Sequence, residues 1–60
     1  MKIKELRKSK NMTQNELANS IGVERTTVTM WETSNSVPSI DALKKLAEIF
    51  NCKIDDLIDK

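Results

Sequence analysis

Apolar residues recur along the chain in clusters three and four positions apart, the spacing that puts side chains on one face of a helix. Ile3 and Leu6 form the first cluster, ringed by Lys2, Lys4, Lys8 and Lys10. Leu17, Ala18 and Ile21 form the second, and Ile40, Leu43, Leu46, Ala47 and Phe50 make the clearest stripe. Ile54, Leu57 and Ile58 supply an inward-facing closing turn. Residues 23–36 break the pattern, because Thr26, Thr27, Val28 and Thr29 are an unbroken β-branched run of strand-like composition. Strand alternation would put Val23, Arg25, Thr27, Thr29 and Trp31 on one face and Glu24, Thr26, Val28, Met30 and Glu32 on the other. Both faces are mixed, so neither suits burial. At about 100° per residue the same letters separate. Thr27, Val28 and Trp31 fall on one side, Arg25, Thr26, Thr29, Met30 and Thr33 on the other, with Glu32 at the boundary. The period predicts a third helix whose weak propensity is compensated by tertiary packing.

Punctuation between the clusters supports the same division. Asn11 and Asn51 tolerate the left-handed conformation and mark stops, as does Gly22, the only glycine. Thr13-Gln14-Asn15-Glu16 fits a capping box. Pro38 biases Val37 away from helix, and Ser39 is a good N-cap. Asp55 and Asp56 suit the first turn of a last helix. No repeat, linker or low-complexity segment interrupts residues 1–60, which read as one all-α domain. A chain this short buries only about 60% of its unfolded surface, so its core is small.

Composition narrows the function classes. There is no His, a single Cys and no metal-ligand cluster or phosphate-cradling Gly loop, so neither an enzyme nor a cofactor or small-molecule ligand is expected. No apolar run approaches a membrane span and no signal-peptide pattern opens the sequence, so a cytoplasmic setting without membrane contact is expected. Cys52 reads as a small buried hydrophobe. Net charge is only +1, but residues 1–30 hold six Lys/Arg and three Glu, while residues 31–60 hold four Lys and six Asp/Glu. The basic half is the candidate for an anionic partner. Asp41, Asp55, Asp56 and Asp59 read as capping and solubility charges.

The stretch TQNELANSIGVERTTVTMWE resembles the helix-turn-helix unit of the Cro/C1 phage-repressor (XRE) family, with the unit at about residues 13–33. The resemblance extends to Leu6-Arg7, Pro38-Ser39, Leu46-Ala47 and the closing IDDLI. It implies a compact five-helix fold of the lambda-repressor-like type. Independently of the family, Ala18 and Gly22 are small where the second and third helices must approach, with Val23, Val28 and Trp31 set against Leu17 and Ile21. The outer side of the third helix then carries groups suited to base edges: an Arg for guanine, Thr hydroxyls for either partner, and Thr and Met apolar groups for a thymine methyl.

Carried over by resemblance, Arg25, Thr26, Thr29 and Met30 occupy base-reading positions. Thr13 and Gln14 match phosphate-contacting positions, Lys10 is the best-placed lysine for a phosphate, and Ser34, Asn35 and Ser36 form a loop facing the DNA backbone. Arg7 and Glu32 match a structural ion pair. Phe50, Ile54, Leu57 and Ile58 are implied as the dimer surface. The sequence departs from the family at Thr33-Ser34, where a basic residue and Gly are frequent. It also departs at Glu24, where Ser or Thr often caps the third helix, and at Lys53, which replaces a small cap. The expected function is a sequence-specific double-stranded DNA-binding transcriptional regulator, a small Cro-like repressor acting as a homodimer on a palindromic operator. The alternative is a protein-interaction module of the same fold, such as an antitoxin-like or co-regulator subunit, with weak or no DNA binding.

Overall fold

In the computed structural model, which describes residues 1–58, the chain forms α1 (Ile3–Ser9), α2 (Gln14–Ile21), α3 (Arg25–Glu32), α4 (Ile40–Phe50) and α5 (Ile54–Leu57). Asp59 lies outside the described residues. No strand occurs among them, and the β-branched run lies within α3. Nor is any helix among them long and apolar enough to cross a membrane.

The first four helices stop by one device. Asn11, Gly22, Ser34 and Asn51 take left-handed φ values of 57°, 89°, 64° and 53°. The N–H of the next residue then reaches back to a carbonyl in the last helical turn. Met12 donates to Arg7 at 3.1 Å, Val23 to Ala18 at 3.0 Å, Asn35 to Met30 at 2.9 Å and Cys52 to Ala47 at 3.0 Å. This Schellman arrangement gives donors to carbonyls that would otherwise lack them. A Cβ built on Gly22 would meet nothing within 4 Å. The expectation that Gly22 is small to let two helices approach is therefore corrected: its φ demands glycine, and its space does not. Ala18, 2% exposed, is the small residue packed into the core.

Helix starts are less uniform. Thr13 Oγ1 accepts from the Glu16 N–H at 3.1 Å and Glu16 Oε1 accepts from the Thr13 N–H at 2.8 Å, completing the capping box. Ser39 Oγ accepts from the Ala42 N–H, and Asp56 Oδ2 accepts from the Lys53 N–H, both at 3.2 Å. Glu24 makes no such bond at the start of α3. Thus α3 combines poor propensity with a weak cap, and its packing must hold it.

That packing comes from α1 and α2, while α4 lies against α2 and α5. Ile3, Leu17, Ala18, Ile21, Val28, Trp31, Ala42, Leu46, Phe50 and Leu57 form the core. Thr27, expected inward with Val28 and Trp31, is only half-buried. The buried stripe of α4 is Ala42, Leu46 and Phe50, four residues apart. Ile40 was expected on it and is 69% exposed, because it lies roughly 160° around the helix from Ala42. Ile58, expected inward, follows the end of α5 and is exposed. Cys52 is half-buried; burial and the nearby Asp56 carboxylate push its thiol up, so it stays protonated at neutral pH. The Lys2 N–H donates to the Leu57 carbonyl at 2.9 Å, tying the start of α1 to α5. Lys45 Nζ donates to the Ile21 carbonyl at 3.3 Å, putting a cation at the C-terminus of α2 where the helix dipole favours one.

Ser34 is the least comfortable of the four stop residues, since its Cβ crowds the backbone in the left-handed region. Ser34→Gly is expected to raise stability by up to about 1 kcal/mol, read as an increase of several degrees in Tm by circular dichroism.

Candidate nucleic-acid interface

α3 is gripped along one side and open along the other. Val28 and Trp31 are 0% and 4% exposed, whereas Arg25, Thr26 and Met30 face solvent. These three of the four expected base-reading residues therefore share an accessible surface. Thr29 lies one turn beyond Arg25 on the same side of the helix and is half-buried. Thr26 Oγ1 lies 3.5 Å from Glu24 Oε2, the outer limit of a hydrogen bond, so its hydroxyl is only loosely engaged.

The start of α3 opens onto the start of α2. A shallow cleft of about 460 Å³ is lined by Arg7, Asn11, Met12, Thr13, Gln14, Asn15 and Arg25. It brings Thr13, Gln14 and Arg25 together where the N-terminal amides of α2 favour an anion. Lys10 is exposed just before it in the chain. Ser34, Asn35 and Ser36 are not brought to this cleft; they follow the other end of α3. Asn35 Nδ2 donates to Thr33 Oγ1 at 3.0 Å, and Thr33 Oγ1 donates to the Thr29 carbonyl at 2.9 Å, so this loop is tied to the helix. A second cleft, of about 520 Å³, includes Glu48, Cys52, Lys53 and Asp56. Its two carboxylates against one ammonium suit no polyanion.

A polar network underlies the α2–α3 cleft. Arg7 Nε donates to Glu32 Oε2 at 2.7 Å and Arg7 Nη2 to Glu32 Oε1 at 3.3 Å. Arg7 Nη1 donates to the Met12 carbonyl at 2.7 Å. The two side chains are only 10% and 2% exposed, so this is a buried, forked ion pair joining α1 to the end of α3. Gln14 extends it: Nε2 donates to Glu32 Oε1 at 3.0 Å, and Oε1 accepts from Thr29 Oγ1 at 3.1 Å. Gln14 is thus a cross-link between α2 and α3, which the sequence reading missed. One signal was available, since Thr29 and Glu32 are three residues apart and share a side of α3.

Burial alone would raise the Glu32 carboxyl. The hydrogen bonds from Arg7 and Gln14, with the charges of Arg7 and Lys4, outweigh it and hold the group below its ordinary value of 4.5. The expected dimer residues divide differently. Phe50 and Leu57, 6% and 0% exposed, are consumed by the domain's own core and have no surface for a partner. Ile54 is half-buried and Ile58 is 42% exposed, so these two retain surface.

A folded value below the unfolded one means that Glu32 stabilises the fold fully above about pH 4.5. That contribution is lost as the pH falls through the folded value. Glu32→Gln is expected to cost about 3 kcal/mol at pH 7, because it leaves the Arg7 charge buried without its counter-ion. Urea unfolding at pH 7 and pH 4 should show the variant losing less stability on acidification than the wild type.

The family described as Helix-turn-helix matches residues 3–57. An HTH-type transcriptional regulator of Archaeoglobus fulgidus is 45% identical over 56 residues, spanning 93% of this chain and 79% of that protein. The transcriptional activator BcrR of Enterococcus faecalis is 37% identical, spanning 95% of this chain and 28% of that protein. The cryptic phage CTXphi transcriptional repressor RstR of Vibrio cholerae is 33% identical, spanning 95% of this chain and 51% of that protein. No solved structure gives a significant match. These three relatives are transcriptional regulators, and the chain belongs to the helix-turn-helix family of the Cro/C1 (XRE) type.

Proposed function

We propose that this domain binds double-stranded DNA sequence-specifically, with α3 in the major groove, and that it regulates transcription as a homodimer on a palindromic operator. The observation that carries this reading is the two-sided character of α3. Its Val28 and Trp31 are locked into the core while Arg25, Thr26 and Met30 are exposed, with Arg25 beside the N-terminus of α2. A helix held in this way can enter a groove without uncovering the core. Arg25 donates two hydrogen bonds to guanine, and the Met30 side chain offers apolar contact to a thymine methyl. Thr13, Gln14 and Lys10 contact phosphate from the start of α2 and the turn before it, and Ser34, Asn35 and Ser36 from the loop after α3. Glu24 opposes the DNA charge at the same surface and tempers affinity.

One short helix offers few base contacts, so a symmetric pair reading half-sites about 34 Å apart supplies the remaining specificity. Ile54 and Ile58 are the dimer residues that keep exposed surface. The relatives include an activator and a repressor. A Cro-like repressor is the simplest reading, since occupying an operator needs nothing beyond DNA binding.

Mobility shift over a range of salt concentrations tests this directly. The expected result is binding whose log–log salt slope corresponds to several released counterions. No binding even at low salt would overturn the reading and leave a protein-interaction module of the same fold. Arg25→Ala is expected to cost about 1–3 kcal/mol and to relax preference at one base position. A uniform loss across all sequences would make Arg25 a phosphate ligand instead.

A further inference from the structure

The polar network beneath α3 has a direction, and the direction ends at the DNA-facing surface. A guanidinium has only donors, and an ionised carboxylate only acceptors. Glu32, forked by Arg7, therefore accepts at both oxygens, and the group Gln14 turns toward Glu32 Oε1 must be its NH2. This fixes which way the Gln14 amide lies, and the amide oxygen is left facing Thr29 at 3.1 Å. Thr29 Oγ1 has one hydrogen, and both its neighbours are acceptors: Gln14 Oε1 and, at 3.2 Å, the Arg25 carbonyl. Whichever one takes it, the proton is spent inside the protein. What the Thr29 hydroxyl keeps for an outside partner is lone pairs, on a side chain still half-exposed.

We infer that Thr29 is a one-way reader: it accepts a hydrogen bond from an exocyclic amino group, so one operator position is restricted to adenine or cytosine on the contacted strand. In the major groove, adenine N6 and cytosine N4 are the donors, while guanine O6 and thymine O4 are acceptors that would set lone pairs against lone pairs. A free threonine would turn its hydroxyl to suit either kind of base. Here Arg7, Glu32 and Gln14 act as positioning residues that remove that freedom, although none of them need touch the base. The inference rests on the reading of α3 as the groove-entering helix and deepens it, from which residues face the bases to which hydrogen-bond polarity one of them demands.

Selection of bound sites from random double-stranded DNA, with the wild type, Thr29→Val, Thr29→Ser and Gln14→Met run in parallel, tests it. The wild type is expected to favour adenine or cytosine over guanine or thymine at one position by about five- to tenfold, the size of one hydrogen bond. Thr29→Val, which keeps the shape and removes the lone pairs, should abolish that preference and leave the other positions unchanged. Thr29→Ser should retain it. Gln14→Met removes one of the two inward acceptors and leaves the Arg25 carbonyl, so it should weaken the preference without abolishing it. A purely supporting role for Gln14 would lower affinity at every position equally. Enrichment in which Thr29→Val matches the wild type at every position, or in which the lost preference is for guanine or thymine, would overturn the inference and leave the DNA-binding reading standing. No enriched sequence with the wild type would overturn both.

Discussion

The forked contact between Arg7 and Glu32 is the interaction on which the arrangement of the exposed side of α3 depends. α3 is a poor helix by itself, with three threonines and a valine in its first five residues and no side-chain cap at its start. Val28 and Trp31 bury its inner side, which fixes that it packs but leaves its rotation to be set by less forgiving contacts. An ion pair with two hydrogen bonds and side chains 10% and 2% exposed is such a contact, because a small rotation would strand a charge away from water. Arg7 also holds the Met12 carbonyl, so the same guanidinium joins α1, the turn before α2 and the end of α3.

A buried ion pair is a weak source of net stability, since removing two charges from water costs about as much as their attraction returns. What it supplies here is direction. Donors and acceptors alternate from Arg7 through Glu32 and Gln14 to Thr29, and each link dictates the orientation of the next. Apolar replacement of Arg7 and Glu32 together would preserve much of the packing, yet leave the Gln14 amide free to turn over.

Much of the fold was written in local chemistry and was legible for that reason. The Thr13–Glu16 box, the Ser39 cap and the left-handed Asn11, Gly22 and Asn51 each depend on a few neighbouring residues. The period of residues 25–32 outweighed their strand-like composition, because burial follows the face a side chain occupies. Serine carries no sign of a left-handed backbone, so the stop at Ser34 was not legible. Apolar spacing alone does not say where a helix leaves the core, so Ile40 reads as part of a buried stripe that it does not join. The candidate site was legible as far as one side of one helix. The bridge from Gln14 to Thr29 and Glu32 crosses 15 and 18 residues of chain, and Lys45 reaches the Ile21 carbonyl across 24. Pairings of this kind depend on how the helices meet.

A double-mutant cycle on Arg7 and Glu32, with Arg7→Met, Glu32→Leu and the pair together measured by urea unfolding at pH 7, tests the central claim most directly. The account predicts that each single change costs several times more than the double, with a coupling energy of about 2 kcal/mol or more. Single and double changes that add, with no coupling beyond experimental error, would contradict it.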